Sequence, residues 1–177
     1  MGISIEPKTG YIYSCGSDKK LKVSEINYQE AISEVNVGSH GCTALIYDRK
    51  NLRLFITNEV GVIFIFSTTT NPPTLINSVQ CSCKASIRGL HIDYLKFYIF
   101  TASVNGSISV LDLNQPNKER FIKELSSFNS NKKLRLVKYN SLSNELICGD
   151  EDGKISFWSL KTFEPMCNYL FLIIRCF

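Results

Sequence analysis

A strand, a tight polar turn and a second strand recur four times in the same order, and no other feature of this chain restricts its fold as strongly. The four segments run from Cys15 to Ser24, Thr57 to Phe66, Ala102 to Leu111 and Gly149 to Trp158. Their last residues are 42, 45 and 47 positions apart, about the length of one four-stranded antiparallel module. In the last copy Asp150-Glu151-Asp152-Gly153 supplies the turn, since glycine tolerates the positive φ that such hairpins need.

The fourth copy shows why the pattern demands a sheet. Leu134 to Tyr139 reads as a strand, 140–144 as a polar turn and Glu145 to Gly149 as a second strand. Lys154 to Trp158 is the third, and a fourth begins near Phe163. Strand alternation puts Ile155 and Phe157 on one face and Ser156 and Trp158 on the other, with the Phe157 ring expected to be buried between sheets. The same order holds elsewhere. First strands are expected at Ile3 to Ile5, Thr43 to Tyr47 and Ile87 to Ile92; second strands at Tyr11 to Cys15, Leu54 to Thr57 and Tyr98 to Ala102. Fourth strands are expected at Ala31 to Val37, Leu75 to Cys81, Phe121 to Leu125 and from Pro165 onward. Asn71-Pro72-Pro73 and Asn114-Gln115-Pro116-Asn117 fall between third and fourth strands, where proline interrupts no ladder. With no linker rich in Gly or Ser, residues 1–177 read as one continuous array with units at about 2–38, 39–84, 85–130 and 131–174.

These repeats resemble WD40 repeats over residues 2–166. The strongest likeness is Gly149-Asp150-Glu151-Asp152-Gly153-Lys154-Ile155-Ser156-Phe157-Trp158-Ser159-Leu160, with Ser159 where the family usually has Asp. Ser24, Phe66 and Leu111 stand at the family's Trp position in the other units, and Gly38-Ser39-His40 is the one remnant of its Gly-His signature. The resemblance implies an all-β fold, a β-propeller segment of four antiparallel four-stranded WD40-like blades, partial or open. With the family's buried polar network incomplete in every copy, apolar packing is expected to hold the sheets together. Family members generally close a ring of seven blades. Four copies therefore leave three alternatives: a fragment of a longer propeller, a closed or half-closed four-bladed unit, or a ring completed by self-association through open blade edges. The apolar run from Tyr169 to Phe177 fits truncation or an altered terminus and would invite aggregation if exposed.

Composition excludes several other classes. The chain is 44% hydrophobic and 20% charged, within the globular range. Its net charge of +4 is spread in both signs, which gives no dedicated nucleic-acid surface. Seven cysteines (Cys15, Cys42, Cys81, Cys83, Cys148, Cys167 and Cys176) are odd in number, and no secretory leader is evident. Free thiols in a reducing, intracellular and cytoplasmic setting are expected. Glu6 stands where a myristoylation signal would want Ser or Thr, and the apolar run near the end is too short to span a bilayer.

No catalytic residues, metal site or cofactor are expected. His91 lies within a strand and His40 in a connection, and neither has a nucleophile in a recognisable motif. Cys81 and Cys83 lack two further ligands at zinc spacing, and the Asp150 to Asp152 turn is too small for calcium. Asp18 and Asn105 occupy equivalent turn positions, which favours a repeated structural role. No phosphate-binding glycine loop occurs.

What remains is surface recognition. By the resemblance, the connections into the first strands and the turns between second and third strands share one face around a central channel. That face would gather Lys19, Lys20, Ser39, His40, Lys84, Arg88, Lys132, Lys133 and Arg135, with Arg88 and Arg135 in matching register. Such a rim suits an acidic or phosphorylated segment of a partner protein, because the arginine fork pairs with carboxylates and phosphates. The family implies a non-catalytic scaffold within a larger assembly. The alternatives are a trafficking adaptor for phosphoinositide surfaces, directly or through a domain outside this chain, and a propeller enzyme.

Overall fold

A computed structural model describes residues 1–28, 30–113, 121–126, 132–162 and 164–169, with backbone alone at 121–126 and 167–169. Its strands form four antiparallel sheets of four, each in simple sequential order. The first comprises β1 (Gly2–Ile5), β2 (Tyr11–Cys15), β3 (Lys20–Glu25) and β4 (Ser33–Asn36). The second comprises β5 (Cys42–Asp48), β6 (Arg53–Asn58), β7 (Val62–Ser67) and β8 (Thr74–Gln80). The third holds β9 (Ile87–Asp93), β10 (Tyr98–Ser103), β11 (Ser107–Asp112) and β12 (Phe121–Ser126). The fourth holds β13 (Leu134–Asn140), β14 (Glu145–Asp150), β15 (Ile155–Ser159) and β16 (Pro165–Tyr169). The all-β class and the four strands of each copy thus lie where alternation and turn residues place them. Asn114 to Asn117, Phe163 and 170–177 lie outside the described residues. Among the described residues no helix is long and apolar enough to cross a membrane.

Turn geometry repeats from sheet to sheet. Each turn between second and third strands closes with a backbone bond spanning three residues: Lys19 N to Gly16 O, Gly61 N to Asn58 O, Gly106 N to Ser103 O and Gly153 N to Asp150 O, at 3.1–3.4 Å. The four donors all have positive φ, from 64° at Lys19 to 86° at Gly106. A side-chain oxygen fixes each loop, Asp18 Oδ1 accepting from Lys20 N, Asn58 Oδ1 from Val62 N, Asn105 Oδ1 from Ser107 N and Asp150 Oδ1 from Lys154 N. The acidic and amide residues of these loops therefore build turns. The residue just before each second strand is likewise left-handed: Gly10, Leu52, Phe97 and Asn144.

The chain divides into two compact units, Met1–Ile87 and Arg88–Phe177. In the first, Tyr13, Cys15, Leu21 and Val23 of the first sheet share one buried apolar cluster with Cys42, Leu45, Tyr47, Leu54, Ile56 and Phe66 of the second. In the second unit, Phe100, Ala102, Ile108 and Val110 join Leu134, Val137, Leu146, Cys148, Trp158 and Leu160. Apolar packing thus carries each pair of sheets. A strand glycine sits at a close contact within each pair. A Cβ on Gly2 would stand 2.4 Å from Leu45 N, and one on Gly89 would stand 3.0 Å from Val137 N. These strand glycines let the first strands of neighbouring sheets approach backbone to backbone.

The phase of β15 differs from expectation. Trp158, opposite the buried Leu146, is the residue that enters the apolar cluster at 3% exposure, while Phe157 is only half-buried opposite Ile147. A register shift between Phe157 and Trp158 occurs where β15 meets β16, and the same irregularity precedes Phe66 and Leu111 in their sheets. Phe66, Leu111 and Trp158 are all buried behind that bulge; Ser24, in a sheet without it, is half-buried.

A polar cluster lies inside the first unit. Glu6, 8% exposed in the turn after β1, accepts hydrogen bonds from Tyr47 Oη at 2.8 Å, Tyr13 Oη at 3.1 Å and Thr9 Oγ1 at 3.0 Å. The two rings lie 5.6 Å apart. Burial, followed by the neighbouring Glu6 carboxylate, holds the Tyr13 phenol well above its ordinary range.

Candidate partner-binding rim

Backbone hydrogen bonds tie the connections that enter first strands to the turns between second and third strands. In the first unit Cys42 N donates to Gly16 O at 2.9 Å and Glu59 N to Gly41 O at 3.1 Å. In the second, Glu151 N donates to Lys133 O at 2.9 Å. Each unit therefore has one end at which its predicted basic residues can be located, and the two ends are described separately.

In the first unit Lys19 occupies the left-handed turn position, exposed, and Lys84 takes another positive φ beside the 58–61 turn. Neither makes an ion pair among the described residues. Lys20 differs: its Nζ donates to Glu34 Oε2 at 2.5 Å. Lys22, not singled out from sequence, meets Asp18 at 2.8 Å and Glu34 at 3.9 Å. Lys22 holds the Asp18 carboxyl below its ordinary range, and Lys20 does the same to Glu34. Two of the lysines at this end are thus already engaged by carboxylates. His40 is exposed with its Nδ1 2.9 Å from Ser39 Oγ.

In the second unit Arg88 is exposed on β9 and makes no ion pair among the described residues. It precedes Gly89, whose missing side chain admits Leu136 and Val137; Arg135 precedes Leu136. Both arginines therefore flank the same close approach of β9 to β13. Arg135 Nη2 lies 3.4 Å from Glu151 Oε2, and Lys133 Nζ lies 3.5 Å from Glu151 Oε1. Lys132 pairs with Asp152. Glu151 and Asp152 thus engage three of the four cations, Asp150 of the same turn accepts from backbone N–H groups, and Arg88 is left without an ion pair among the described residues. Exposed pairs of this kind contribute about 0–1 kcal/mol each and can be exchanged for a better acid.

His91 is half-buried and held below the ordinary imidazole range by burial and by Lys138, with a hydrogen bond to the backbone of Tyr139. Among the described residues no three His, Cys, Asp or Glu side chains gather as a metal site. Comparison with protein-family models and with curated proteins finds no match for this sequence.

Proposed function

We propose that this chain is a WD40-like propeller segment acting as a non-catalytic interaction scaffold, and that the Arg88 and Arg135 end of the second unit holds an acidic or phosphorylated segment of a partner protein. The observation that carries the reading is two arginines on first strands that approach each other at Gly89, one of them, Arg88, exposed and without an ion pair among the described residues. Planar forks in that arrangement suit a bidentate acceptor such as a phosphate monoester or a carboxylate pair. The recurrence of one turn geometry in all four sheets supports the blade reading, since equivalent left-handed residues at equivalent places are what copies of one module should have.

Fluorescence anisotropy with acidic and phosphoserine peptides tests the rim directly. The wild-type chain should bind, binding should weaken with salt, and Arg88→Glu with Arg135→Glu should reduce affinity at least about tenfold with an unchanged far-UV spectrum. Equal affinity of the charge-reversed protein would overturn the assignment. Phosphoinositide vesicles serve as a separate arm: co-sedimentation lost in the same variant, without peptide binding, would favour the membrane-adaptor reading instead.

A further inference from the structure

Cys15 ends β2 and Cys42 begins β5, so the two belong to different sheets of the first unit. Both are buried, at 4% and 3% exposure, and both lie in the same apolar cluster. The backbone brings them together. Cys42 N donates to the carbonyl of Gly16, the residue after Cys15, at 2.9 Å, and Cys15 Sγ reaches Ala44 O at 3.8 Å, two residues beyond Cys42. Cys15 also lines an open cavity of about 520 Å³ with Gly2, Ser14 and Gly16, which gives a small solute a route to this member of the pair.

We propose that Cys15 and Cys42 form a reversible disulfide that ties the first sheet to the second when the protein meets a peroxide. Disulfides need cysteines on closely neighbouring chain segments, and the backbone bond from Cys42 to Gly16 together with the shared apolar cluster places these two on such segments. The neighbouring Cys42 thiol and then burial push the Cys15 thiol up. Cys148 supplies an internal contrast, for burial alone pushes its thiol up to about 12. One of the two sulfurs, as thiolate, attacks one oxygen of hydrogen peroxide, breaking the O–O bond to give a sulfenic acid and hydroxide, which takes up the proton that this thiol lost. The other sulfur then attacks the sulfenic sulfur, its own proton leaves with the sulfenic hydroxyl as water, and the S–S bond closes. Two thiols lose two electrons to one peroxide, which becomes two waters.

Quantitative thiol mapping tests the pair in the full chain. The reduced protein is exposed to graded hydrogen peroxide, remaining thiols are alkylated, and peptides are analysed without reduction. Cys15 and Cys42 should be lost together into one linked peptide pair at least about tenfold faster than Cys148 is lost, and dithiothreitol should restore both. In Cys15→Ser and in Cys42→Ser the remaining cysteine of the pair should instead accumulate a sulfenic acid that dimedone traps. Loss of Cys15 and Cys42 at the rate of Cys148, linkage of either to another cysteine, or over-oxidation of one beside its reduced partner would overturn the proposal.

Discussion

Removing the Glu6 carboxylate should cost more stability than its place in a terminal turn suggests. It accepts from two buried phenols and from Thr9, at 2.8, 3.1 and 3.0 Å. A buried hydroxyl stripped of its acceptor costs about 1–3 kcal/mol. For Tyr13 and Tyr47 together that is about 2–6 kcal/mol, reduced by relief of the desolvation that the carboxylate itself suffers. We expect Glu6→Ala to lose about 3–4 kcal/mol, a large share of the roughly 5–15 kcal/mol that holds a typical domain folded. Glu6→Gln, which keeps one oxygen acceptor in place, should lose about 1–2 kcal/mol, as should Tyr47→Phe, which keeps the ring. If the two groups act on each other, the double variant Glu6→Gln/Tyr47→Phe will lose less than the sum of the singles. Urea unfolding followed by circular dichroism gives each value. A loss below about 1 kcal/mol for Glu6→Ala would refute the reasoning, because it would mean that water replaces the carboxylate at both phenols.

The same cluster sets an alkaline limit. Burial and then the hydrogen bond to Glu6 push the Tyr47 phenol up to about 12 from an ordinary value of 10. The folded state therefore holds this proton more tightly, so the contribution is whole below about pH 10 and drains away as pH rises toward about 12. The urea midpoint should fall faster over that window in the wild type than in Tyr47→Phe, and parallel curves would contradict the assignment. On β15, Trp158→Ala should cost about 3–5 kcal/mol and Phe157→Ala under about 2 kcal/mol, the order opposite to that expected from sequence. Equal losses in urea unfolding would mean that the bulge is misplaced. Gly89→Ala should lose about 1–3 kcal/mol, because the added methyl meets backbone at 3.0 Å that has no rotamer by which to retreat. A neutral or stabilising result would show that the strands are not pinched there.

What the sequence made legible is what strict alternation and turn chemistry encode. Val62 to Phe66 beside the Asn58-Glu59-Val60-Gly61 turn could be little else than a hairpin. The phase of β15 was not legible, because Ile155 and Phe157 on one face and Trp158 on the other are all apolar and a bulge separates the last two. Leu52 and Phe97 give no hint of their left-handed backbone, since bulky residues avoid it. Only the repeat could have located them, through Gly10 and Asn144 at the matching positions. The basic residues were visible at once, but the carboxylates that engage them come partly from another strand, as Glu34 does from β4. Glu6 stayed hidden because its partners are 7 and 41 residues away.

The glycine contacts also indicate where the chain can be divided. Gly2 meets Leu45 and Gly89 meets Val137, so each seam is contained wholly within one of the compact halves. A break after Ile87 would sever neither, whereas one between Asn36 and Cys42 would separate two backbones shaped to lie against each other. The seams thus mark pairs of sheets, not single sheets, as the pieces that an excision or a fusion should keep whole.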